Sequence, residues 1–333
     1  MRNQLQTLCD NFIENRDILR KTFRWESAYL YPVCAAVFTE RGQTADPAAL
    51  RHCDRLLKEQ TGPFNGFRGT ARLAILSLLA AGGDPGGRLR RALQLYDALK
   101  GYFFVSQYLP MAAMILAEGT EKSRYAETAA RCRLIYDLMK AEHPFLTSGE
   151  DSIFASLLAL SPRPAEETAE EAEGCYRLLK PDFFSANAVQ SLSHVLALGE
   201  GTAEEKCQRT MGLYQGLKDR GYKYGTEYEL ATLGVLALLP GEPEAVIEDV
   251  IQADDYLSGR SGYGLLGLGR KQRLMHAGML VSAGYREQAA ENAMQSAAVG
   301  GTLSLVAAQQ AALCAAVAAA SAAAGASASA GGN

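Results

Sequence analysis

Stretches with an apolar residue every three or four positions alternate along this chain with shorter, denser apolar stretches, and the alternation is periodic. One copy runs from Leu134-Ile-Tyr-Asp-Leu-Met-Lys140 through Phe145 to Ser156-Leu-Leu-Ala-Leu160. It reads as the end of one helix, an aromatic-tipped turn and a second, mostly apolar helix. The segment closed by Lys140 recurs as Tyr96-Asp-Ala-Leu-Lys100, Tyr176-Arg-Leu-Leu-Lys180 and Tyr214-Gln-Gly-Leu-Lys218, with weaker copies ending at Lys58 and Arg260. These basic anchors step by 42, 40, 40, 38 and 42 residues. An aromatic follows each of the first five: Phe64, Phe103 with Phe104, Phe145, Phe183 with Phe184, and Tyr222 with Tyr224. The spacing predicts an all-α chain of six tandem antiparallel helix pairs with a period near forty residues. Turns are expected near 59–66, 101–106, 141–148, 181–186 and 219–226.

Around this array, residues 1–40 read as N-terminal capping helices, 41–285 as the helical-hairpin repeats and 286–324 as C-terminal capping helices, with 325–333 a disordered tail, all in one domain. Within the first of these, Trp25 to Phe38 predicts a helix bent near Pro32. Asp46-Pro47 is a cap followed by a first-turn proline. Thr202 with Glu205 and Thr226 with Glu229 predict capping boxes, and Ser148 with Asp151 a weaker one. An open α-solenoid resembling HEAT or tetratricopeptide arrays is favoured over a closed α/α toroid, because no acidic or aromatic funnel recurs at inward positions.

Composition supports helix: 48% of the 333 residues are hydrophobic and 21% charged, with Ala, Leu, Glu, Arg and Lys prominent. Net charge is −4, so a nucleic-acid partner is not expected. The seven cysteines include no Cys-x-x-Cys, which predicts reduced buried thiols in a cytoplasm. No secretory signal is read after Met1. The uncharged stretch 302–333 predicts a tightly packed Ala-rich helix that serves as a cap or a homodimer contact; Gln309, Gln310 and the weak hydrophobicity of Ala argue against a membrane anchor.

Candidate chemistry is sparse. Polar residues gather where the second helices begin, and Arg68, Ser106, Asp151, Asn187, Gln190, His194 and Glu227 form a candidate polar pocket for an anionic or polar ligand. Asp151 and His194 could act as an acid and base or hold a metal; the plainer reading makes Asp151 a helix cap and His194 a core histidine. No metal-ligand spacing occurs, and no cofactor is implied. Gly262 to Gly269 lacks the strand and spacing of a dinucleotide fingerprint and reads as a connector. Arg88, Arg90 and Arg91 read as a solvated helix face; Arg270, Lys271 and Arg273 could hold an anion at a helix N-terminus, with a solvated first turn the plainer reading. The tyrosines that open the anchors read as packing between repeats.

The segments Phe23-Arg-Trp-Glu26, Leu30-Tyr-Pro32, Phe67-Arg-Gly69, Tyr108-Leu-Pro110 and Ser193-His194 resemble an uncharacterised bacterial family, domain of unknown function 4003. The resemblance covers nearly the whole chain. It implies a bacterial protein and transfers no catalytic residue. The expected role is that of a protein-interaction scaffold taking a protein or peptide on its concave surface; the alternative is an enzyme or small-ligand binder with a polar pocket on a toroid.

Overall fold

The computed structural model describes residues 3–264, 267–293 and Val317. Among these there are fourteen α-helices and three 3-10 turns, and the only β-type pairing is an isolated bridge between Tyr263 and Leu268. The helices follow one another as hairpins, and in all but the last a long first helix is followed by a shorter second one. The first three are Asn3–Thr22 (α1) with Leu30–Thr39 (α2), Pro47–Gln60 (α3) with Arg72–Ala80 (α4), and Pro85–Lys100 (α5) with Leu109–Gly119 (α6). Next come Tyr125–Glu142 (α7) with Asp151–Ala159 (α8) and Ala165–Leu179 (α9) with Ala186–Ala197 (α10). Ala203–Asp219 (α11) with Leu230–Ala237 (α12) and Pro243–Ser258 (α13) with Arg270–Ala293 (α14) complete the series. Residues 1–40, read above as caps, thus take the same hairpin form as the repeats. Most of the stretch 286–333, with its expected terminal helix and tail, lies outside the described residues, though α14 reaches Ala293 and Val317 is helical and buried.

The two helices of a hairpin differ because their sequences differ. On α3 the buried residues are Leu50, Cys53 and Leu57, one stripe at helical spacing, and the opposite face is polar. On α2, α8 and α12 every residue is buried. A helix apolar all round must have neighbours all round: α6 meets α5 and α8, and α12 meets α10, α11 and α14.

The hairpins gather into two compact units, residues 14–166 and residues 3–13 with 167–293. In the second, the start of α1 packs on the last hairpin: Phe12 lies 6.0 Å from the His276 ring, and the Tyr256 hydroxyl meets Asp10. In the first, Asn15 bonds Gln43 O at 2.9 Å and accepts from Ala45 N at 2.7 Å.

Several local expectations change. Trp25 is not helical; it lies in the α1–α2 turn, and α2 starts at Leu30 with Pro32 in its first turn. The second helices begin later than their apolar runs suggest, so the turns before them extend to Ala71, Tyr108, Glu150 and Glu229. Asp46 and Thr202 cap as expected, the latter in a full box. Thr226 does not, because α12 starts four residues on, and Glu229 instead reaches back to Glu227 N at 3.2 Å. Arg88 is buried rather than solvated, pairing with Glu118 at 2.8 Å. Arg273 likewise forks onto Asp254 with two bonds of 2.8 Å. No helix among the described residues is long and apolar enough to cross a membrane.

Candidate functional site

Each hairpin has two kinds of end. At one, a short helix stops and the next long helix starts; we term this a back turn. At the other, within the hairpin, the long helix gives way to the short one; we term this a tip.

Back turns are closed by capping groups. Arg131 of α7 donates to three carbonyls at and beyond the end of α8, reaching Ala159 O at 3.0 Å, Ser161 O at 3.1 Å and Arg163 O. Arg209 of α11 does the same beyond α12, with Leu239 O at 2.9 Å and Gly241 O at 2.7 Å. A cation on the unpaired carbonyls of a helix C-terminus satisfies them and opposes the helix dipole. Gly241 supplies a left-handed φ of 91° in that turn, a conformation other residues adopt only with strain.

Tips are longer, and the second, third and fifth carry two aromatic residues with opposite fates. One ring is buried against the tyrosine of the next long helix. Phe67 meets Tyr96 edge-on at 5.3 Å, Phe103 meets Tyr136 at 5.3 Å, and Phe183 meets Tyr214 at 5.1 Å. Such T-shaped pairs contribute about 0.5–1.5 kcal/mol beyond their buried area. Lys100 lies 5.1 Å above Tyr96, and Lys140 lies 5.9 Å above Tyr136. The anchor motif is therefore a latch, Tyr under Lys, that receives a Phe from the preceding hairpin.

The other ring stands in solvent. Trp25 is 97% exposed, Phe64 100%, Phe104 97% and Phe145 99%, one on each tip of the first unit; Phe184 in the second unit is 99% exposed. In the first unit these tips are joined. Arg72 at the second tip bonds Glu26 at the first at 3.0 Å, and Thr70 meets Gln107 at 3.1 Å. Arg133 donates to Tyr102 O at 2.6 Å, while Gly149 packs on Ser106 and Tyr108. Four exposed rings thus sit on one continuous edge.

The polar residues singled out from the sequence are divided between the two units. Arg68, Ser106 and Asp151 belong to the first unit, and Asn187, Gln190, His194 and Glu227 to the second. Asn187 and Glu227 are exposed, while Gln190 and His194 are buried on α10. Arg68 reaches Thr61 O at 3.4 Å. Asp151 is 2% exposed and accepts from Ser148 N at 2.8 Å. Burial pushes its carboxyl up to about 7, against the pull of that bond. Glu229, buried at the matching place before α12, is raised for the same reason. Both acids close the turn that starts a short helix. Among the described residues no group of three or more His, Cys, Asp or Glu could hold a metal ion. In the sequence the exposed phenylalanines stand out only as repeat markers and Trp25 only as a helix residue; nothing there separates Phe103 from Phe104.

The model of a family described as "Protein of unknown function (DUF4003)" matches residues 15–311. No curated protein and no solved structure matches the chain.

Proposed function

The chain belongs to this family, and we propose that it serves as a bacterial cytoplasmic scaffold that binds another protein through its aromatic tips. The observation that carries the reading is the pairing of a latched ring with a bare one. The latched ring holds adjacent hairpins together, so the bare ring beside it has no part in the fold. A large ring left wholly in water gains nothing from burial, and four on one edge make the kind of surface that binding covers. Aromatic side chains are also the residues that dominate interface energies. The six described cysteines, all buried and unbridged, support a reducing compartment.

The test is capture from lysate of the producing organism by the wild-type chain and by a Trp25→Ala/Phe64→Ala/Phe104→Ala/Phe145→Ala variant. A matched control carries Glu40→Ala and Arg41→Ala in a back turn. The reading expects a defined partner retained by wild type and control and lost by the tip variant. Identical capture by all three would overturn it.

A further inference from the structure

The bare rings do not stand alone, and the charges beside them constrain what can cover them. The first three tips, residues 20–29, 58–71 and 100–108, contain Arg20, Lys21, Arg24, Lys58, Arg68 and Lys100 against only Glu26 and Glu59. The back turns of the same unit are balanced: residues 40–46, 81–84, 120–124 and 160–164 hold Glu40, Asp46, Asp84 and Glu121 against Arg41, Lys122, Arg124 and Arg163. In a chain of net charge −4, the three tips that bear Trp25, Phe64 and Phe104 are basic.

The source of the basic charge separates two anionic occupants. A bilayer surface is read by clusters of four to eight free Lys or Arg, each adding about 1 kcal/mol. Here two of the six cations are paired with carboxylates, Lys58 with Asp54 at 2.7 Å and Lys100 with Asp97 at 2.7 Å, and Arg20, Lys21 and Arg24 gather on the first tip alone. The fourth tip, which holds Phe145, also carries Glu142, Glu150 and Asp151. A uniformly anionic sheet would attract three tips and gain nothing at the fourth. A folded or extended polypeptide can place its charges unevenly to match.

Resting on the scaffold reading above, we propose that the edge bearing Trp25, Phe64 and Phe104 docks an acidic protein surface with apolar or aromatic side chains among its carboxylates. The rings supply the buried anchors, while the Arg and Lys beside them set orientation and partner choice.

Trp25 is the only tryptophan of the chain, and it lies on this edge, so its emission reports docking directly. Full-length protein is titrated with three probes: a random glutamate–tyrosine copolymer, a random lysine–tyrosine copolymer, and phosphatidylglycerol vesicles. Excitation at the red edge avoids tyrosine absorption. The expected result is a saturable blue shift with the glutamate copolymer alone, weakened about tenfold or more by molar salt. Phe64→Ala/Phe104→Ala should lose it with Trp25 intact, as should Arg24→Glu/Lys100→Glu, and circular dichroism checks that both variants remain folded. Equal binding of the lysine copolymer, no shift with any probe, or a shift only with vesicles would overturn the proposal. The two readings fail separately. A lysate partner that needs the rings but ignores the charge reversal sinks the acidic partner and keeps the scaffold; a partner indifferent to the rings sinks both.

Discussion

The back turns and the tips connect the same helices, yet they are built on different principles. A back turn satisfies the ends of helices with named groups: Asp46 and Asp84 at N-termini, Arg131 and Arg209 at C-termini. A tip divides its resources, latching one ring onto the neighbouring hairpin and leaving a second ring in solvent. The difference teaches that stability and recognition are assigned to separate residues within a few positions of each other. Four substitutions can break or sharpen that statement.

The largest effect is expected for a latched ring. Phe103→Ala removes a buried side chain that touches Tyr136, and should cost about 3–5 kcal/mol, as for other aromatic core truncations. Chemical denaturation measures it, and a loss below about 1 kcal/mol would mean that the latch is decorative.

Next comes the buried tip acid. A carboxyl raised to about 7 in the folded chain and near 4 when unfolded favours the protonated native state. Its stabilising effect is therefore full below the unfolded value and lost as pH rises through about 7, by at most about 4 kcal/mol. Asp151→Asn keeps an acceptor for Ser148 N and removes the charge. It should raise the unfolding midpoint at pH 8 and change little at pH 4; equal effects at both pH values would refute the assigned cause.

The back clasp should follow. Arg131→Ala strands three carbonyls and is expected to cost about 1.5–3 kcal/mol, in the range for hydrogen bonds to a charged donor. Lysine at the same position, a single point charge, should recover only part of that loss.

Smallest is the bare ring: Phe104→Ala should change stability by less than about 0.5 kcal/mol, as surface substitutions do. Set against Phe103→Ala, it compares two identical residues one position apart.

That pair also marks how far the sequence can be read. Helix class, hairpin order and repeat register follow from apolar spacing and the Tyr-to-Lys anchor, because both recur at every unit. The fates of Phe103 and Phe104 do not, since burial is decided by which way the turn carries each ring. The apolar spacing of Trp25, Tyr29, Leu30 and Val33 predicts one helix, but α2 starts only at Leu30, after the polar Glu26 and Ser27. Arg88 looked solvated beside Arg90 and Arg91, whereas only a neighbouring helix end can reveal the Leu78 carbonyl and the Glu118 carboxylate that hold it. Polar residues were rightly noticed where the short helices begin. What could not be seen is that Asp151 turns inward to its own turn, while the hydrophobic residues at the same place turn out.

The central claim is that recognition rings and structural rings are separable, and thermal unfolding of two multiple variants tests it most directly. One is Trp25→Ala/Phe64→Ala/Phe104→Ala/Phe145→Ala, the other Phe67→Ala/Phe103→Ala. The account predicts that the first melts with the wild-type midpoint and cooperativity, and that the second melts far lower over a broader range. A first variant that melts as low as the second would contradict it, because the exposed rings would then be holding the fold together.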